Sequence, residues 1–253
     1  MNLFGAEHHI LVLSNTIDAY SHKHSFIQVT IALNTPFDIQ IDGHHLRSDG
    51  IIINSNVAHR LDGSGQPLLL LLMDSTSNIA AAFKRYLGDE SYAIFPPDMI
   101  KMIAQFVQTQ SPLVHNTKSY ISFLEHLIHL FNLDYSQPAM TDSRIKELIQ
   151  LIKECTDSDH SIGHYARQLG LSNSRLSHLF KENTGISLSG YIMLHKLQKA
   201  SYLIFKGFTI TDAAMVAGFD SPSHLATTSK KLLGMSAKDI RKDSVFLQVS
   251  CLH

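Results

Sequence analysis

Apolar residues follow two rhythms along this chain, and the first gives way to the second just after Asp74. Between residues 20 and 76 they come in short β-branched or leucine-rich runs: FIQVTIAL, FDIQIDG, HHLRSDGIIIN, AHRLDGSG and PLLLLLM. Gly, Asp, Asn or Pro separates them. Runs of this length bounded by turn residues predict strands, and strands so closely spaced predict a barrel or jelly roll. Helical spacing then takes over at 77–87, 97–108 and 117–133. In the last of these, Ile121, Leu124, Leu127, Ile128 and Phe131 share one face. Such a stripe either covers the preceding barrel or packs against its twin in a dimer, and its sequence looks alike in both cases.

The stretch SQPAMTDS reads as a linker, and the segments between it and the tail at 244–253 have helical spacing. Asp142 or Ser143 caps a helix that carries Ile145, Leu148, Ile149 and Ile152 on one face. Ser161 caps the next helix, Gly170 ends it, and Ser172 caps a third that buries Leu176, Leu179 and Phe180. A long apolar helix follows, from the Ser187 cap to the Gly207 stop. It has too many apolar positions for one narrow stripe, so it must pack on more than one side. Then the pattern repeats. Ile162 falls on Ile210, Ala166 on Ala214 and Gly170 on Gly218. After one inserted residue, Ser172 falls on Ser221, Leu176 on Leu225 and Gly185 on Gly234. A short helix, a glycine stop, a serine cap and a second helix make a helix-turn-helix, so the chain carries two, at about 161–183 and 210–233.

Net charge is −1, but the two halves differ. Residues 1–139 hold 7 Lys+Arg against 12 Asp+Glu, and residues 140–253 hold 14 against 10. The halves are thus −5 and +4, as expected of an acidic sensory half tethered to a DNA-binding half. Cys155 and Cys251 make neither a disulfide framework nor a metal knuckle. Residues 1–15 lack a basic leader, and the longest apolar runs fall short of a membrane span, so a cytoplasmic protein without membrane contact is expected.

The runs LSNSRLSHLFKENTGISLSGYI, KLQKASYLI, ITDAAMVAGFDSPSHL and KKLLGMSAKDIR resemble the DNA-binding domain of AraC/XylS-type bacterial transcription regulators over roughly 100 residues. The resemblance implies an α+β chain. Residues 1–136 would form a cupin-like β-barrel with helices, for effector binding and dimerization. Residues 137–142 would be a linker, 143–243 an all-α DNA-binding domain with a linker helix between its two units, and 244–253 a tail. It implies double-stranded DNA and a small-molecule effector as partners, a homodimer, RNA polymerase if the output is activation, and no catalysis. Two recognition helices set one helical turn apart, ~34 Å, would read an asymmetric site. Base-edge positions fall on Ser174, Arg175, Ser177 and His178 in the first unit and on Ser223, His224 and Thr227 in the second. Lys181, Lys230, Lys231 and Arg241 are the expected phosphate contacts. This sequence departs from the family at Thr227 and Ser229, where Arg and Phe are usual, and at Ala237 and Ile240, where Pro and Tyr are usual. The second unit should therefore grip more weakly.

Ten of the sixteen histidines precede Ala139. His22, His24, Gln28 and His59 are similar to the H-x-H-x3-E…H metal set of cupins, with Gln in place of the carboxylate. Losing that charge disfavours a divalent metal, so these side chains are expected to line an effector site or the surface, and no cofactor is assigned. Two rival readings stay open: a metal-dependent cupin enzyme, or a regulator whose degenerate second unit acts through protein partners.

Overall fold

The computed structural model describes residues 2–6, 8–15, 17–135, 142–154, 160–233 and 245–249. Nine strands lead the chain: β1 (Asn2–Ala6), β2 (His9–Ser14), β3 (Asp18–His22), β4 (Ile27–Ala32), β5 (Phe37–Ile41), β6 (His44–Ser48), β7 (Gly50–Ile53), β8 (His59–Asp62) and β9 (Leu68–Met73). With β10 (Tyr92–Ile94) and β11 (Val245–Val249) they form two facing sheets, ordered β10-β7-β4-β9-β2-β1-β11 and β3-β8-β5-β6. Pairing is antiparallel except where β11 lies parallel on β1. The expected barrel thus takes the form of a sandwich, and part of the expected tail, 245–249, returns to its edge as a strand.

The larger sheet is covered on both faces, which is why its strands read as unbroken apolar runs. Ile10, Val12, Leu68, Leu70 and Leu72 point inward to the apolar layer shared with Ile39, Ile41 and Leu61 of the smaller sheet. Leu11, Leu69, Leu71 and Met73 point outward against three helices, α1 (Asn78–Leu87), α2 (Pro97–Gln110) and α3 (Thr117–Leu130). Each buried Leu or Ile contributes roughly 1.5–3 kcal/mol, so this outer face could not be left to water. The helix α3 supplies much of the cover. Leu124, Leu127, Ile128 and Phe131 are each at most 3% exposed, with Ile121 packed beside them. Of the two uses open to this stripe, dimer contact or cover for its own barrel, these dimerization candidates take the second and pack on the chain's own core.

The C-terminal domain begins with α4 (Ser143–Glu154). Its first helix-turn-helix is α5 (Ile162–Gln168) and α6 (Asn173–Thr184), then α7 (Leu188–Phe205) leads to the second, α8 (Ile210–Val216) and α9 (Pro222–Leu233). The sequence repeat is repeated in the backbone. Leu171 N–H donates to Ala166 O at 2.9 Å, and Phe219 N–H to Ala214 O at 2.9 Å. Gly170 and Gly218 sit at φ +63° and +79°, the left-handed turn that lets each second helix leave at an angle. Ser161 and Thr209 cap the first helices, and the Ser172 and Ser221 hydroxyls accept from Arg175 N–H and His224 N–H at the start of the second.

The two units are not held alike. Leu176, Leu179 and Phe180 pack with α4 and with Tyr191 in a core of their own. The core of the second unit, including Ala213, Ala214, Phe219 and Leu225, belongs to the same contiguous apolar cluster as the sandwich interior. Against α6 the N-terminal domain places a polar tether, Lys84 Nζ donating to Thr184 O at 2.8 Å. Cys155, Ala237, Ile240, Arg241 and Cys251 lie outside the described residues.

Candidate nucleic-acid interface and histidine site

A twelve-residue amphipathic helix with a buried edge leaves only its outer face for a partner, and α6 has such a face. Leu176, Leu179 and Phe180 face inward, while Ser174, Arg175, His178 and Lys181 are exposed and Ser177 is half-buried. The His178 ring lies 3.2 Å from Glu182, four residues on, an exposed contact that water screens and DNA can displace. Arg175, in the first turn, brings a planar fork suited to guanine. Basic residues and hydroxyls near the N-terminus of a second helix form the usual reading edge of this motif.

On α9 the same positions are placed differently. Ser223 and Thr227 are exposed, but His224 is half-buried. Its Nδ1 lies 3.0 Å from an Asp220 oxygen, and its ring stands edge-on to Phe219. Asp220 is the extra residue that shifts the repeat by one, and it anchors this histidine. Ser229 is fully buried, so the smaller residue there thins the core of the second unit, whereas Thr227 lies on the outer surface. Lys230 and Lys231 are exposed on a helix that lies against β3. Lys230 Nζ sits 5.0 Å from the centre of the Tyr20 ring, and the charge of Lys231 acts on His22. Arg241 falls outside the described residues.

Beneath α9 the sandwich brings His22, His24 and His59 together, with ligand nitrogens all within 4.8 Å of one another. His22 and His59 are direct partners across β3 and β8, their ring centres 4.5 Å apart. His24 follows just beyond the end of β3. From the opposite sheet comes β4, whose inner positions are polar: Gln28 and Thr30 alternate with outward Ile27, Val29 and Ile31. The Gln28 amide donates to Thr30 Oγ1 at 3.1 Å, which turns its oxygen toward His24 Nε2 at 3.0 Å and His59 Nε2 at 3.2 Å. Expected site residues from 22 to 59 thus meet in space.

Burial pushes the His24 imidazole down to about 3, helped by its two histidine neighbours, and pushes His59 down to about 4. Burial also lowers His22, partly opposed by its bond to the Tyr20 carbonyl and reinforced by Lys231. Each ring is therefore neutral near pH 7, with one proton to place. His22 Nδ1 lies 2.6 Å from Tyr20 O and His59 Nδ1 lies 2.9 Å from Val57 O. A carbonyl only accepts, so both protons sit on Nδ1 and both Nε2 atoms carry lone pairs. One of these faces Gln28 Oε1, acceptor against acceptor. His24 Nδ1 is buried without a hydrogen-bond partner among the described residues.

Sequence reasoning named the four ring and amide residues but missed Thr30, Tyr20 and Asp220. The alternation IQVTIA was the available signal for Thr30, since two polar residues at the inward positions of a doubly covered strand must be partnered. Asp220 acts through a local contact with His224 four residues on, whereas the Tyr20 ring meets Lys230 only because α9 docks on β3.

Residues 165–243 match the family model for a helix-turn-helix domain. An HTH-type transcriptional regulator of Staphylococcus aureus is 28% identical over 126 residues, 49% of this chain and 17% of that protein. The arabinose operon regulatory protein of Escherichia coli is 30% identical over 125 residues, 48% of this chain and 43% of that protein. The chain thus spans less than half the length of either relative in the match. A solved structure of an apo ToxT variant from Vibrio cholerae shares the fold across 91% of this chain and 96% of its own, with a TM-score of 0.60 at 12% identity. Another ToxT structure holds an unsaturated fatty acid, with a TM-score of 0.53 at 12% identity over 92% of this chain and 94% of its own. The repeated C-terminal units are thus similar in sequence to a helix-turn-helix domain and to the arabinose operon regulatory protein, and the fold along nearly the whole length is similar to that of ToxT.

Proposed function

We propose that the protein is a sequence-specific DNA-binding transcription regulator, controlled by a small ligand bound in its N-terminal sandwich. The observation that carries this is the repeated unit: two capped, glycine-turned helix pairs, of which the first presents Ser174, Arg175, Ser177 and His178 on an open helix face. Kinship to transcriptional regulators supports the reading, and the fatty acid held by ToxT supports a small-ligand role for this fold. Control requires that the ligand bind two states with different affinity. Those states are α9 docked on Tyr20 and α9 released. RNA polymerase, if the output is activation, and a second copy of the chain complete the proposed partners. With the α3 stripe buried, the second copy would use another face, such as that of exposed Met102 and Leu113. A monomeric mass in sedimentation at high concentration would remove the dimer. No helix among the described residues is long and apolar enough to cross a membrane.

Titrations of duplex DNA at several salt concentrations separate the proposed roles. His178→Ala is expected to relax base preference at one position, a loss of about 1–3 kcal/mol for the preferred sequence only. Lys181→Ala should weaken all sequences alike and reduce the salt slope by about 1. If both variants bind like the unmodified protein, α6 is not in the groove. For the second unit, Thr227→Arg restores a fork at an exposed position and should tighten binding by about 1–3 kcal/mol at sites offering guanine there. Unchanged affinity across a library of such sites would remove Thr227 from the interface.

A further inference from the structure

We propose that the ligand of the histidine site is a divalent late first-row transition metal, held by His22, His24, His59 and the Gln28 amide oxygen, and that it acts on α9. The coupling to α9 rests on the regulator reading above; the site itself does not. Three observations point to a cation. First, two imidazoles donate Nδ1–H to backbone carbonyls, Tyr20 and Val57, which fixes the tautomer that leaves Nε2 as a ligand. Second, the Gln28 oxygen faces the His59 lone pair at 3.2 Å, a pairing of two acceptors that a cation between them turns into shared ligation. Two ligands on one tetrahedral ion, each ~2.1 Å from it, stand about 3.4 Å apart, so this pair is already at co-ligand distance. The widest separation among the three histidines, 4.8 Å, closes with a ring rotation of about 1 Å at each side. Third, Thr30 accepts from the Gln28 amide nitrogen and so aims the oxygen at the site, the supporting bond that metal ligands require. Three neutral imidazoles and one amide oxygen suit zinc, nickel or cobalt rather than magnesium or calcium.

The charges around the site give the regulation its direction. Asp42 acts favourably on His59, and Lys231 from α9 acts unfavourably on His22. A bound dication adds two positive charges under α9, where the charge of Lys231 already acts on His22 and Lys230 lies over the Tyr20 ring. Tyr20 is also the residue whose carbonyl holds the His22 ring. Occupancy therefore opposes docking and frees α9 for DNA, and docking opposes occupancy to the same degree.

The test uses the full chain without a histidine tag, stripped with chelator and titrated with Co2+ by visible absorption and with Zn2+ by competition. One equivalent per chain with a tetrahedral Co2+ spectrum is expected. His59→Ala should weaken it by about 100-fold, and the near-isosteric Thr30→Val by about 10-fold while keeping the fold. The double variant His44→Ala/His45→Ala, on exposed β6, should bind as the unmodified protein does. Zn2+ should tighten specific DNA binding by about 10-fold, and this gain should shrink in Lys231→Ala. No stoichiometric metal, or loss of it only in the His44/His45 variant, overturns the metal site; so does oleate occupying the same histidines while metal does not. A turned Gln28 amide, serving both Nε2 atoms with its NH2, would give that negative result. Metal bound with DNA affinity unchanged overturns the coupling. Specific DNA binding without any metal effect leaves the regulator reading standing, and metal binding without any DNA binding removes that reading and keeps the site.

Discussion

Between pH 7 and pH 5 the protein is expected to lose about 6 kcal/mol of folding stability, about 2 kcal/mol from each of three buried histidines. His9 and His24 are held down to about 3 and His59 to about 4, all chiefly by burial, against an ordinary value of 6.5. Because the unfolded chain takes up these protons first, stability is full above pH 6.5 and falls as pH drops toward the folded values. His9 contributes through its place against Tyr120, whose hydroxyl lies 2.7 Å from its Nε2. Asp74 works in the opposite sense: burial raises its carboxyl, so the stability it costs at neutral pH recovers on acidification. One such group does not offset three. Urea titrations at pH 7, 6 and 5 measure the effect. A midpoint independent of pH over that range would contradict the neutral, buried assignment, and His9→Gln should remove about a third of the dependence.

The second large effect is expected at Phe180. This ring is fully buried, 5.2 Å centre to centre from Tyr191, in a core shared by α4, α5, α6 and the start of α7. Phe180→Ala should cost about 3–5 kcal/mol, since the site is enclosed and cannot collapse onto the missing ring. That core is separate from the sandwich, so the damage should stay local. DNA binding should be lost while β2, β4 and β9 keep slow hydrogen exchange and α4 to α6 exchange quickly. Native DNA affinity in this variant would show that the first unit does not carry the binding.

The sequence made much of this legible because its local signals agree. Ser172 and Gly170 mark a cap and a stop whatever surrounds them, so both helix-turn-helix units could be drawn from spacing alone. The strands were legible for the same reason, as runs such as PLLLLLM between turn residues. What stayed hidden depends on packing between distant segments. The α3 stripe has the same pattern whether it meets a sheet or a twin, and only its burial under Phe83 and Phe95 decides the case. The return of β11 to β1 joins residues some 240 positions apart, a pairing no local window contains. At the histidine site the H-x-H spacing was readable. The opposing Gln28 and Thr30 became meaningful once the two sheets faced each other.

That the two repeated units read DNA together is the claim on which the account turns, and selecting bound duplexes from a random library with the full chain tests it most directly. The account predicts enrichment of an asymmetric site with two blocks about 10 base pairs apart, the stronger block read by α6. Enrichment of one block alone would confine base reading to the first unit. No sequence enriched over random DNA at moderate salt would contradict the account.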